Sequence, residues 1–419
     1  MIEVETQLAR VLGESRQLPS DTVPLAAAHG RYLAESLVSR YALPPWTNSA
    51  MDGYAVRSDD VAAASPESPV VLNVVADLPA GTASDPSLAS GQAARIMTGA
   101  PVPADADAIV PVEATDGGER RVSITAPAKR GVHIRSAGED RQPGDPLVTA
   151  GSRGSAEALS ALASAGYGTV SVARRPRVAV IATGSELVAP GEALERGQIP
   201  DSNSLLISSL AIEHGSELVD VVRVSDEVAK LEAALQALAG RCDVIVLTGG
   251  VSMGAYDPVK ELLSPGGQVR FEKVAMQPGK PQGFGRLAEP WVGEGELGPL
   301  VFGLPGNPVS AWVSFLVFVR PCLRALQGAS VVEDPRLSAR AETGWRTPPG
   351  RRQYLPARIR TTDSGVVVSP AAARGSGSHL VGSLADANGY AIVDARVERV
   401  EEGDVVQVVR LMSDVGARL

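Results

Sequence analysis

Several short loops rich in glycine and proline each carry a polar side chain, and these are where this chain could do chemistry. Thr183-Gly184-Ser185-Glu186 follows the apolar run 177–182. Gly249-Gly250-Val251-Ser252-Met253-Gly254, with Asp257 just beyond, follows 244–247. Gln277-Pro278-Gly279-Lys280-Pro281 follows 269–276, and Leu304-Pro305-Gly306-Asn307-Pro308 follows 300–303. Strands of a parallel sheet point one way, so the loops that leave them gather at one edge, where ligands bind. Loops this close together in sequence therefore predict one site. A further loop, 49–54, carries Asp52 far upstream.

The residue types suggest the chemistry. Gly249, Gly250 and Gly254 let successive backbone N–H groups, with Ser252 among them, face one concavity that suits phosphate or another oxyanion. Asp257 opens the next helix; before Pro258 it reads as an N-cap, and a capping carboxylate can still face a metal-bound phosphate. Glu186 alone would be a solvated glutamate. Paired with Asp257 across a switch point, it becomes a hard-oxygen ligand for Mg²⁺, which takes one or two carboxylates plus waters and substrate phosphates. His29, His133, His214 and His379 are scattered, so no zinc site is expected, and His29 and His214 read as surface residues at helix ends. Lys280, held between prolines, reads either as a surface lysine or as a cation aimed at an oxyanion. Asn307 and Pro308 fit the cap and first position of a helix, whose unpaired N–H groups, next to Pro305, can also receive an anion. Asp52-Gly53 by itself is an ordinary turn.

These loops need elements to hold them. At 419 residues the chain exceeds one core. Its 44% hydrophobic and 4% aromatic content predicts globular cores of Val, Leu, Ala and Ile. From 176 to about 330 strands alternate with helices at 204–214, 227–238, 257–263 and 308–326, which argues for a doubly wound α/β domain. Residues 47–137 and 331–419 read as β-rich. Residues 1–46 and 138–175 form a discontinuous helix-containing part, with helices over 3–16, 29–39 and 155–166. The predicted fold is thus an elongated four-domain chain, α/β plus β.

No apolar stretch reaches the roughly 18 residues that span a bilayer. The N-terminus lacks the order of a signal peptide. Cys242 and Cys322 are isolated, as reduced cytosolic thiols would be. The expectation is a cytoplasmic protein with no membrane partner. A net charge of −9 argues against nucleic acid, and any anionic ligand needs local cations, helix termini or a metal.

Taken together, the loops resemble the MoeA family of molybdopterin molybdenumtransferases and the E domain of gephyrin. The matching segments, in family order over nearly the whole chain, are 48–55, 95–100, 138–140, 183–187, 201–203, 249–254 with Asp257, 278–281 and 304–310. The resemblance implies an enzyme that takes adenylylated molybdopterin and molybdate, requires Mg²⁺, releases AMP and leaves molybdenum on the pterin dithiolene. It implies site roles for Asp52, Thr98 and Asp140 from the first half. It also implies roles for Glu186, Asp226, Asp257 and the basic Lys280 from the α/β domain, and for Ser376 or Ser378 from the last domain. It further implies a homodimer with sites shared between subunits. The chain opens directly with the MoeA-like region, so a separate molybdopterin adenylyltransferase is expected.

One departure stands out: many members have lysine where Gln277 stands, and Arg351 or Arg352 are the candidates to substitute. Two other readings compete with the molybdenum-inserting enzyme. An adenylylating enzyme would share the α/β domain but not the extra β domains or the Asp52 segment. A non-catalytic scaffold would tolerate loss of the carboxylates that this chain keeps.

Overall fold

The computed structural model describes residues 1–250, 258–265, 268–372 and 377–411. Helix α1 (Val4–Glu14) buries Val4 and Val11 against the central α/β region. The helix expected over 29–39 does not form. A 3-10 turn (Leu25–Ala28) leads instead into extended chain, and Leu37–Val38 pairs with Pro146–Val148. Leu33 and Leu37 are buried together, as their spacing suggests. A separation of four residues puts two side chains on one face of a strand as well as of a helix, so this spacing cannot distinguish the two.

Five strands follow: β1 (Gly53–Val56), β2 (Val70–Leu78), β3 (Gln92–Ile96), β4 (Ala108–Pro111) and β5 (Arg121–Ile124). They lie in the order β4-β1-β3-β2-β5 around a core that includes Tyr54, Leu72, Val110 and Ile124. Helix α2 (Ala156–Ser164) is capped by the Ser155 hydroxyl, which accepts the Ala158 N–H at 3.2 Å. Its Leu162 joins the core that holds Leu33 and Leu37.

The central region contains β6 (Arg177–Thr183), α3 (Ser202–Glu213), β7 (Glu217–Val224), α4 (Val228–Leu238), β8 (Val244–Thr248) and α5 (Pro258–Leu263). It continues with β9 (Val269–Lys273), β10 (Pro281–Arg286), β11 (Leu300–Leu304) and the continuous helix α6 (Pro308–Leu326). The strand order is β7-β6-β8-β11-β10-β9. Val178 and Val180 pack with α3 and α6; Ala179 and Ile181, alternating with them, pack with α4 and α5. Both faces are therefore covered, and the strands read as continuous apolar runs.

Three expectations are corrected in this region. The sheet is mixed, because β10 runs antiparallel to both β11 and β9. Two reversals restore the direction of β9, so the turn leaving it still opens on the same edge as those leaving β6, β8 and β11. Helix α6, at 19 residues, is long and apolar enough to cross a membrane, contrary to the reading of the bare sequence. Its most apolar window is 89% buried inside the chain, which makes it a core helix clamped between the sheet and the C-terminal strands. His214 does end α3 but is not a surface residue. It stacks on Phe315 of α6, and burial pushes its pKa down to about 3.

The last strands are β12 (Leu337–Ala341), β13 (Arg352–Thr362), β14 (Gly365–Pro370), β15 (Gly389–Val393) and β16 (Val405–Arg410). They run in the order β13-β14-β12-β16-β15, and β15 pairs back onto β13 to close a small barrel. Met276–Gln277 adds to β13 in parallel, which ties the turn after β9 to this barrel.

Candidate active site

One cleft of about 1280 Å³ lies along the carboxyl-terminal edge of the central sheet. Strand order dictates what each loop brings to it. Asp226 follows β7, Glu186 follows β6, Gly249 and Gly250 follow β8, Pro305 and Asn307 follow β11, and Lys280 precedes β10. The edge therefore reads carboxylates first, then a glycine loop, then a helix start, then a cation. β6 leads to α3 on one face of the sheet, while α5 after β8 packs on the other. That divergence opens a crevice between β6 and β8, the usual ligand position in doubly wound sheets.

Gly249 and Gly250 line the crevice, with φ of 89° and 64°. A Cβ on Gly249 would lie 2.5 Å from the Thr183 carbonyl oxygen, and one on Gly250 would lie 2.3 Å from a Val259 methyl. Both conformation and space demand glycine here. Ser252, Gly254 and Asp257, also expected in this loop, lie outside the described residues.

The acidic end is held by its own loops. The Ser185 N–H donates to the Asp226 carboxylate at 3.0 Å, and the Asp226 N–H donates to the Ser185 hydroxyl at 3.2 Å. This exchange joins the turn after β6 to the turn after β7. Glu186 folds back over Gly184, where an added Cβ would meet its carboxylate oxygens at 2.7 Å. Glu186 and Asp226 are both exposed to the cleft. Among the described residues no group of three His, Cys, Asp or Glu could hold a metal ion unaided.

At the far end Asn307 caps α6 by position, but its side chain makes no capping hydrogen bond. It donates instead to the Ser378 hydroxyl at 2.9 Å, and the Val309 N–H donates to the Ser378 carbonyl at 3.1 Å. Ser378 is thus brought from the C-terminal part to the start of α6, and both residues line the cleft. Ser376 lies outside the described residues. Lys280 is exposed in the cleft and has no ion pair among the described residues. Gln277 also lines the cleft, and its buried Oε1 has no hydrogen-bond partner among the described residues. Of the two arginines considered as substitutes for a cation at 277, Arg351 lines the cleft, whereas Arg352 pairs with Glu5 of α1.

Asp52, Thr98 and Asp140 do not line this cleft in the single chain. Asp52 and Thr98 meet each other: the Thr98 N–H and hydroxyl donate to one Asp52 oxygen at 2.6 and 2.7 Å. The backbone bond foremost, then the hydroxyl, holds the Asp52 carboxyl below its usual range. Asp140 is exposed beside Arg141, at 3.1 Å. Conversely, the cleft includes residues not singled out individually from the sequence: Asp201, Asn203 and Ser310. Asp201 is buried, caps α3 by accepting the Ser204 N–H at 3.0 Å, and lies 3.5 Å from Arg223. Asn203 donates to the Gly306 carbonyl at 2.6 Å, tying the start of α3 to the loop after β11. The available signal was the polar run Asp201-Ser202-Asn203 at a helix start, a pattern that capping alone explains.

A doubly wound sheet whose ligand edge carries this polar set, flanked by β-rich parts on both sides, defines the class: a multidomain α/β protein with a cleft suited to an anionic ligand. Residues 2–166 match the MoeA N-terminal region (domain I and II), 179–325 a probable molybdopterin binding domain, and 338–411 the MoeA C-terminal region (domain IV). The chain is 43% identical over 395 residues to molybdopterin molybdenumtransferase 2 of Mycobacterium tuberculosis, covering 92% of this chain and 94% of that protein. It is 33% identical over 421 residues to the molybdopterin molybdenumtransferase of Bacillus subtilis, covering 99% and 95%. The solved structure of a molybdopterin biosynthesis MoeA protein from Pyrococcus horikoshii superposes with a TM-score of 0.81 at 25% identity, covering 98% of this chain and 100% of that one. The chain belongs to the MoeA-type molybdopterin molybdenumtransferases, enzymes of molybdenum cofactor biosynthesis.

Proposed function

We propose that this enzyme takes adenylylated molybdopterin and molybdate, cleaves the pyrophosphate bond in a Mg²⁺-dependent step, and releases AMP while molybdenum stays on the pterin dithiolene. The observation that carries the reading is the order of groups along the sheet edge. Glu186 and Asp226 stand at one end, the Gly249-Gly250 loop and the start of α6 in the middle, and Lys280 with Arg351 at the other. The protein offers carboxylates but no complete metal cage among its described residues. That suits Mg²⁺, which keeps waters and takes phosphate oxygens from its substrate. Glu186, with Asp257 or Asp226, would hold it. There it would supply positive charge against the pyrophosphate.

The chain's own groups do the rest. The Gly249 and Val309 N–H groups already donate to the Leu304 and Ser378 carbonyls, so phosphoryl oxygens are received by the remaining N–H groups of the glycine loop and of the start of α6, that of Ser310 among them. Lys280 and Arg351 neutralise the oxyanion at the far end, which a chain of net charge −9 would otherwise repel. Asp52, Thr98 and Asp140 reach the reaction from the second subunit of a homodimer. The exposed Trp46 and Met51 near Asp52, and Leu205 and Ile212 on the outer face of α3, provide apolar surface for that contact. The enzyme works in the cytoplasm downstream of a separate molybdopterin adenylyltransferase. The test is to supply the purified protein with adenylylated molybdopterin, Mg²⁺ and molybdate and follow AMP. Release that depends on molybdate and stops with a chelator supports the reading; no release contradicts it.

A further inference from the structure

The turn that presents Lys280 rests on a buried polar contact not required by the β10 strand itself. Gln282 is 2% exposed on β10, and Ser314 is 0% exposed in the middle of α6. The Gln282 carboxamide donates to the Gly279 carbonyl at 2.6 Å and to the Ser314 hydroxyl at 2.7 Å. Gly279, at φ 99°, sits directly on this pair: an added Cβ would lie 3.0 Å from the Ser314 oxygen and 3.3 Å from the Gln282 nitrogen. Its neighbour Lys280 returns a backbone bond at 2.8 Å, its carbonyl accepting the Val274 N–H. The Gln282 neighbour on the same strand face, Phe284, packs in the apolar core with α6. An apolar side chain at position 282 would therefore suit the packing. A carboxamide there needs another reason, because a buried amide is tolerated only when its hydrogen bonds are made.

We infer that Gln282 is a positioning residue, whose carboxamide, braced by Ser314, fixes the Gly279 carbonyl and so directs Lys280 into the cleft. Pro278 and Pro281 stiffen the turn, and the Val274 N–H bonded to the Lys280 carbonyl closes its base. The carboxamide adds a tie from the turn to α6, the same helix whose first residues line the cleft. A cation counts in catalysis only if its direction is fixed before the substrate arrives. The inference rests on the proposed role of Lys280.

A double-mutant cycle separates the two. Gln282→Leu, Lys280→Ala and the double variant are compared as full-length enzymes for kcat/KM in molybdate-dependent AMP release. Gln282→Leu should lose about tenfold in kcat/KM when Lys280 is present and less than about twofold when it is alanine. Gln282→Asn, an amide one methylene shorter, should recover less than half of that loss, because it does not reach the carbonyl. Equal losses from Gln282→Leu in both backgrounds would overturn the positioning role while leaving Lys280 in place. No loss from Lys280→Ala alone would overturn the Lys280 assignment and this role with it. If Gln282→Leu does not fold, Ser314→Ala carries the same cycle, since it removes only the brace.

Discussion

At the scale of single residues, the cleft's polar groups divide into those open to the cleft and those bonded within its walls. Glu186 is exposed, and among the described residues its carboxylate has no hydrogen-bond or ion-pair partner, which leaves it open to a ligand. Glu186→Gln keeps the shape and removes the charge. It should lower AMP release by at least about tenfold, through a lost Mg²⁺ ligand, with little change in melting temperature. Asp257→Asn should do the same, and near-normal activity in both would refute the metal assignment. Lys280→Ala should weaken use of the anionic substrate. Lys280→Arg should restore only part, because a flat guanidinium does not replace a point charge. If higher molybdate fails to rescue Lys280→Ala, the lysine acts on the pyrophosphate instead of the molybdate. Glu186 and Lys280 were legible from the sequence because each sits in a rigid turn after an apolar run. Asp201 and Asn203 were legible only as part of the segment 201–203 that carries the resemblance, because a polar run before a helix has a sufficient explanation in capping.

At the scale of elements, the sheet edge works because its loops cannot sit anywhere else. Thr183, at the end of β6, donates its hydroxyl to the Thr248 carbonyl of β8 at 3.3 Å, and Gly249 lies against it. Gly250→Ala would force a Cβ into Val259 at a positive φ. It should cost roughly 1–3 kcal/mol of stability and abolish AMP release, measured by denaturant unfolding and the same assay. Unchanged stability and activity would show that the loop has room the geometry denies. The apolar runs predicted β6, β8 and β11 within one residue, since buried strands of a doubly wound sheet leave no alternation to misread, whereas the run 269–276 overshoots β9 by three residues and β7 and β10 were not read as strands. The missing helix at 29–39 shows the limit, because spacing common to strand and helix predicts burial and not shape. The reversal at β10 was invisible for a related reason: nothing local in the chain distinguishes an antiparallel strand buried on both faces from a parallel one.

At the scale of the whole molecule, the first half supplies Asp52, Thr98 and Asp140 and the centre supplies the cleft, yet within one chain these residues lie apart. Family resemblance led to a site that spans the chain; folding alone does not assemble it. A two-fold dimer would bring one subunit's Asp52 to its partner's sheet edge. Chains carrying Asp52→Ala and chains carrying Asp257→Ala should each be inactive as homodimers. After subunit exchange, the mixed dimer holds one intact site and should regain activity. Exchange verified by two tags without any recovery would place each site within one chain.

In the proposed reaction every AMP released leaves one molybdenum on the pterin. The most direct measurement is the ratio of AMP released to molybdenum retained on the pterin, with Mg²⁺ and molybdate supplied. The account predicts one molybdenum per AMP in the wild-type enzyme, and neither product in Glu186→Gln. AMP release without molybdenum on the pterin, or molybdenum gained with the pyrophosphate intact, would contradict it.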